Sequence, residues 1–329
     1  MRIARLYRYC LPMDSGVILR EKKLSNREGW IVEIAEFGLV ARGEIAPLPG
    51  FSQETLEQAG IEAQHQLELW VHNRELDLSQ CCPSVAFGLS MALFELKGLL
   101  PPTANYQAAP LCSGDPDELI PLLNEMTGPK VAKVKVGLYE TIRDGMLVSL
   151  LLESIPDLSL RLDANQAWTL EKAKSFAKHI APSLRQRIAF VEEPCSHPGD
   201  SLSFAIDTGI AIAWDETLQR AVKEPGFSVK ELTGVKALVI KPTLIGDVQT
   251  CIRIVDEAKL QGMQVVISSS LESNIGLTQL ARLSQWLLPR EVPGLDTMQL
   301  FDAQLDSAWP GCDAEVVTLE SQDLYWQSE

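Results

Sequence analysis

The run Ala132-Lys133-Val134-Lys135-Val136-Gly137 alternates apolar and charged side chains. Successive residues of a strand point to opposite faces, so Val134 and Val136 share one face and Lys133 and Lys135 the other. The valines suit packing against helices, which turns both lysines toward the interior. Two ammonium groups there are costly unless anions or a charged ligand stand beside them. The competing reading is an edge strand whose lysines are solvated.

Further short, β-prone runs follow at Leu160–Leu162, Ile188–Val191, Ile210–Ala213, Ala237–Ile240 and Gln264–Ile267, with helix-like segments such as Thr169–Ile180 and Asp247–Gln261 between them. Strands alternating with helices imply parallel βαβ units. The polar residues that end the runs are Lys135, Asp163, Glu192, Asp215, Lys241 and Ser268, spaced 23 to 29 residues apart. A barrel needs roughly 30 residues per βα unit. The expected class is therefore α/β, a modified (β/α) TIM-like barrel over residues 106–309. An open doubly wound sheet normally carries a G-x-G-x-x-G first turn, and this chain has none.

Residues 1–105 read as a small α+β module. Ile3–Cys10, Gly29–Phe37 and Gly38–Ile45 are strand-like, and Asp14–Asn26 is polar. After the break at Ala46-Pro47-Leu48-Pro49-Gly50, Ser52 is the expected N-cap of a helix running toward Trp70, with Glu54 in its first turn. Pro83 and Ser84 open a second helix, Val85–Leu100, which Pro101-Pro102 ends.

The chain has 329 residues, 46% of them hydrophobic, enough for a packed core. Its net charge of −15 disfavours nucleic acid and anionic membranes as partners. A small-molecule carboxylate substrate would need local positive groups. The first eight residues are too charged for a secretory signal, and no apolar run reaches transmembrane length. The seven cysteines are odd in number and lack zinc-type spacing, which suggests reduced thiols in a cytoplasmic protein. Oligomeric state stays open at this level.

The chemistry lies at the strand ends, where barrels place their sites. One acidic strand end usually caps the next helix. Asp163, Glu192 and Asp215 in succession, flanked by Lys135 and Lys241, are harder to explain that way. Three converging carboxylates repel unless a cation joins them, and hard oxygen donors fit Mg2+. Zinc or copper would recruit histidine or cysteine. Glu192 and Glu193 must point to opposite sides. A lysine acting as base needs its pKa brought down from about 10.4. Lys133 beside Lys135, and a divalent ion nearby, both act in that direction. A substrate carboxylate on the ion can then take up charge as an enediolate.

With these residues the chain resembles the lysine-base, muconate-lactonising-like branch of the enolase superfamily. The resemblance spans nearly the whole chain. It rests on Gly43-Glu44-Ile45-Ala46-Pro47-Leu48-Pro49-Gly50-Phe51-Ser52, Pro83-Ser84-Val85-Ala86-Phe87-Gly88-Leu89-Ser90, Lys133-Val134-Lys135-Val136-Gly137 and Leu162-Asp163-Ala164-Asn165. It continues in Glu192-Glu193-Pro194-Cys195, Trp214-Asp215-Glu216, Ile240-Lys241-Pro242-Thr243, Ile267-Ser268-Ser269-Ser270-Leu271-Glu272-Ser273 and Pro293-Gly294-Leu295-Asp296-Thr297. The resemblance implies that residues 1–105 cap the barrel, with a contribution from about 310–329. The cap and serine motifs look like those of members that form o-succinylbenzoate for menaquinone or phylloquinone, by dehydrating a succinyl-hydroxycyclohexadiene-carboxylate. It further implies that Asp163, Glu192 and Asp215 bind Mg2+, with Mn2+ as a substitute. Lys135 would be the base, Lys241 the electrostatic partner across the ring, and Lys133 the residue that tunes Lys135. Arg161, Ser268, Ser269, Ser270 and Gly294 become candidates for substrate contact, and Asp14–Asn26 a lid. The alternative is racemisation of N-acylamino acids or epimerisation of dipeptides, using the same two lysines.

Overall fold

The computed structural model describes every residue except 15–17, 20–21, 113–114 and 329. Among the described residues, seven parallel strands lie side by side in chain order: Leu111–Cys112, Val131–Lys135, Ser159–Asp163, Ile188–Glu192, Ile212–Trp214, Ala237–Ile240 and Gln264–Ile267. A parallel bridge between Ser268 and Gly294 extends the order by one more segment. Helices follow the strands and cover the outside, giving the modified TIM-like barrel expected from the spacing.

Strand alternation decides what faces inward. Ala132, Val134, Leu160 and Leu162 pack outward in the large core shared with the helices. Phe190, Ala213, Ala237, Val239 and Val266 form a separate cluster inside. Two residues beyond Phe190, Ala213, Val239 and Val266, on the same face, come Glu192, Asp215, Lys241 and Ser268. The inner layer is thus apolar, and the next layer up is charged or polar.

The cap is a four-stranded antiparallel sheet in the order Asp323–Gln327, Arg2–Pro12, Asn26–Glu36, Leu39–Ile45. Its core joins Leu6, Trp30, Val32 and Ile34 of the sheet to Ala63 and Leu67 of the helix Leu56–Val71, and to Val85 and Leu89 of the helix Pro83–Leu96. The first helix starts three residues later than Ser52 predicts. Thr55 is its N-cap, because Thr55 and Gln58 cap each other's backbone N–H groups in a reciprocal box. Ser52 instead accepts from Leu48 N, and Glu54 accepts from Ser84. The second helix stops at Leu96, before Pro101, because Gly98 turns the chain at φ 65°.

Part of Asp14–Asn26, the expected lid, lies outside the described residues. Ile18–Leu19 pairs antiparallel with Lys22–Lys23. Among the described residues, no helix is long and apolar enough to cross a membrane.

Candidate active site

The strand register sets the five charged residues next to one another. Lys135 pairs with Asp163, Asp163 with Glu192, and Glu192 with Ala213, two residues before Asp215. Lys241 directly follows the strand Ala237–Ile240. All five stand at one end of one sheet, the carboxyl end.

Lys133 reaches up from one layer lower. Its Nζ donates to Glu192 Oε2 at 2.8 Å and pairs with Asp163 Oδ2 at 2.9 Å. Lys241 pairs with Asp215 Oδ2, and Gln219 Nε2 donates to Asp215 Oδ1 at 2.7 Å. Burial draws the Lys133 ammonium down, but Asp163 and Glu192 outweigh it and hold its pKa above the ordinary range. Lys241 behaves the same way, with Asp215 outweighing burial. Both lysines are fixed cations in this arrangement. Lys135 differs. It is exposed at the mouth, and among the described residues its amine makes no hydrogen bond or salt bridge.

Asp163 is held below the usual carboxylate range, because Lys133 and Lys241 more than offset its burial. Glu192 is pushed up to about 7 by burial, against Lys133, with Asp163 and Asp215 adding repulsion. Two ammonium groups therefore do not fully relieve the three acids. As the side chains are set, each acid faces a lysine. Among the described residues, no three acidic, histidine or cysteine groups stand close enough together to hold an ion. The donor set nonetheless fits a hard divalent ion by its chemistry. Its oxygens come from adjacent strand ends, and its residual repulsion is what such an ion relieves.

The residues assigned to substrate contact are placed unevenly. Arg161 lies inside the barrel beneath Asp163, 5.7 Å over the Phe190 ring, and donates to Val292 O at 2.6 Å. Its Nε is buried and has no hydrogen-bond partner among the described residues. Ser268 Oγ donates to Gly294 O at 3.1 Å, and Ser269 Oγ to Glu272 Oε2 at 2.8 Å. The Ser270 hydroxyl is buried and has no hydrogen-bond partner among the described residues. Gly294 is small for a reason: a Cβ there would come within 2.9 Å of Ser268 Oγ.

The sequence sets Glu193 opposite to Glu192 but assigns no role to Glu193 or Glu216. Glu193 points away from the mouth and accepts from Asp215 N and Thr217 N, which orients the turn that carries Asp215. Glu216 is buried beside the site; burial and then Asp215 push it up to about 7, with Lys241 opposing. The available signal was an acid followed by Pro194, where a strand must stop. The backbone partners of Glu193 lie just past the following strand, at Asp215 and in the first turn of the helix Glu216–Ala221, and show no pattern in the chain.

Comparison with known proteins adds to this geometry. Residues 1–96 match the family model described as the N-terminal domain of MenC, and residues 122–314 match the one described as enolase C-terminal domain-like. The o-succinylbenzoate synthase of Vibrio cholerae serotype O1 (strain M66-2) is 63% identical over 329 residues, covering 100% of this chain and 99% of the relative. That of Aliivibrio fischeri (strain MJ11) is 57% identical over 328 residues, covering 100% of both. Among solved structures, the o-succinylbenzoate synthase of Thermosynechococcus elongatus BP-1, complexed with Mg in its active site, has 24% identity and a TM-score of 0.68, covering 88% of this chain and 92% of that one. A substrate-liganded L-Ala-D/L-Glu epimerase from Bacillus subtilis has 19% identity and a TM-score of 0.70, covering 91% and 90%. Backbone likeness therefore does not separate synthase from epimerase. The full-length sequence identity does, and it favours the synthase.

Proposed function

The chain belongs to the o-succinylbenzoate synthase family of the enolase superfamily, and on that premise we propose how its own side chains dehydrate a succinyl-hydroxycyclohexadiene-carboxylate to o-succinylbenzoate. Lys135 is the base. It takes the ring proton alpha to the carboxylate, and the electron pair moves into the carboxylate as an enediolate. The protonated amine then passes its proton to the neighbouring hydroxyl, which leaves as water while the ring becomes aromatic. One residue serves both steps because proton and hydroxyl depart from the same face.

The observation that carries this reading is the contrast among the three lysines. Lys133 and Lys241 are committed to carboxylates, whereas the Lys135 amine is uncommitted and open to the mouth. Lys241 remains an ammonium and stabilises the enediolate electrostatically. Lys133 keeps Asp163 and Glu192 in place. Asp163, Glu192 and Asp215 would hold Mg2+, or Mn2+ as a substitute. Bound there, the ion supplies positive charge that draws electrons into the substrate carboxylate. Arg161, Ser268, Ser269, Ser270 and Gly294 contact the substrate, a reading supported by the unpartnered Arg161 Nε and Ser270 Oγ. The described cysteines are all free, which suits a reducing cytoplasm.

The test is to incubate the purified protein with the cyclohexadiene substrate and Mg2+ and follow the rise of aromatic absorbance. No product, together with rapid loss of optical activity in an N-succinylamino acid, would reverse the assignment in favour of racemisation.

A further inference from the structure

We infer that Arg27, a residue of the cap, positions the Ser268–Leu271 turn of the barrel for substrate binding, an inference that rests on the reading above that this turn contacts substrate. Arg27 is 1% exposed, yet among the described residues its guanidinium is hydrogen-bonded to no carboxylate. It donates to backbone carbonyls of both domains. Nε reaches Leu271 O at 2.8 Å, and Nη2 reaches Ala46 O at 2.7 Å and Ser270 O at 3.4 Å. Nη1 reaches Pro47 O and Glu28 O, both at 2.9 Å. The planar fork with five donors suits such a set of divergent acceptors, which lysine cannot reproduce.

The turn needs holding. Leu271 has φ 61°, a left-handed conformation that a side chain other than glycine adopts only when its surroundings enforce it. Its N–H is taken by Ser269 Oγ at 2.9 Å and its carbonyl by Arg27. On the other side Glu272 clamps the same turn. It accepts from Ser269 Oγ and Thr243 Oγ1, both at 2.8 Å, and from Ser270 N at 2.6 Å. Thr243 is two residues beyond Lys241. The turn is therefore gripped from within the barrel by Glu272 and from the cap by Arg27.

Arg27 also follows directly on the polar stretch 14–26. Met13 N donates to Ser25 O at 2.9 Å, which closes the base of that stretch, and Asp14 N donates to Leu300 O at 3.0 Å. One cap strand thus carries both the base of the polar stretch and the grip on the serine turn.

The test uses the full chain with Arg27→Lys, which keeps the charge but not the fork, and Arg27→Gln. Five quantities are measured: hydrogen exchange of the amides at 269–273, KM, kcat, the Kd for o-succinylbenzoate in the presence of Mg2+, and the Kd for Mg2+ alone. The expected result is about tenfold faster exchange at those amides, with KM and product Kd raised about tenfold. The kcat should fall less than threefold and Mg2+ affinity stay within twofold. Unchanged exchange in folded variants overturns the role of Arg27. Faster exchange with an unchanged product Kd removes substrate contact by the turn, and with it the link to binding. Equal losses in kcat and Mg2+ affinity mark a general structural defect and also overturn the inference. If Arg27→Gln fails to fold, Arg27→Lys decides.

Discussion

Glu193 accepts the backbone N–H groups of Asp215, at 3.0 Å, and of Thr217, at 2.7 Å, on a single carboxylate oxygen. Its other oxygen accepts from the Thr217 hydroxyl at 3.0 Å and from the Gln166 amide at 3.3 Å. Its backbone sits at φ 40°, and its carbonyl takes Gln166 N at 2.8 Å. One outward-pointing carboxylate therefore ties together the strand ends that bear Asp163, Glu192 and Asp215. Groups that orient metal ligands typically matter by about 10–100-fold in affinity. Glu193→Ala should weaken Mg2+ binding by roughly that factor. Glu193→Gln should do less, since an amide oxygen still accepts both N–H groups. Calorimetric titration of Mg2+ into each variant checks this, and wild-type affinity in the alanine variant would show that Asp215 is held by other means.

Lys135 should be separable from the other two lysines by stability. Its exposed amine has no partner among the described residues, so Lys135→Ala should shift stability by no more than about 0.5 kcal/mol. Its kcat should fall by about 10²–10⁴ or more, the range for a lost proton-transfer group. Lys135→Arg should be equally inactive, because guanidinium does not release its proton near neutral pH. Lys241→Ala leaves Asp215 buried without its cation and should cost stability as well as activity. Steady-state kinetics and denaturant melts on the three variants make the comparison. A destabilised Lys135→Ala would contradict the placement of that side chain.

Chelation should abolish turnover and added Mg2+ should restore it, with Mn2+ substituting. Asp163→Asn should raise the Mg2+ concentration needed for half-maximal rate. Full activity in metal-free protein would remove the metal assignment altogether.

The barrel was readable because its signals are local. Strand alternation in Lys133-Val134-Lys135, and charged residues spaced at barrel intervals, both lie within short stretches of chain. The charged mouth was readable because a lysine or aspartate inside an apolar run is conspicuous. The start of the first cap helix was misjudged because Ser52 and Thr55 are both capping residues, and only Thr55 has a glutamine three positions on. The contacts that seat the cap on the barrel left no periodic trace, since Glu44 meets Ser273 across 229 residues and Arg27 meets Leu271 across 244. The sequence does not show why Gly43 and Gly88 are glycines. A Cβ on Gly43 would lie 1.9 Å from Gly88 O, so the strand and helix approach this closely only without side chains. Lys133 reads from the sequence as a neighbour of Lys135, and its pairing with Asp163 of the next strand and Glu192 of the strand beyond has no local trace.

Glu44 gives the interface between cap and barrel a pH dependence with a definite sign. Its carboxylate is buried and accepts from Tyr9 Oη at 2.6 Å, Ser273 N at 2.8 Å, Ser273 Oγ at 2.6 Å and Gly276 N at 2.8 Å. Gly276 N and Ser273 N belong to the start of the helix Asn274–Leu287, where an anion is favoured. Burial nevertheless outweighs these hydrogen bonds, and the folded pKa is raised above 4.5. The folded state then holds this proton more tightly than the unfolded state does. Glu44 contributes most below pH 4.5, and that contribution falls as pH rises through its folded pKa. A glutamine at this position has no such titration and turns an N–H2 group toward donors, so Glu44→Gln should be less stable by about 1–3 kcal/mol. The gap between wild type and Glu44→Gln should be widest near pH 4 and narrow toward pH 7. Urea melts at several pH values measure it, and a gap that widens with pH would mean that the four donors, rather than burial, dominate the charge state of Glu44.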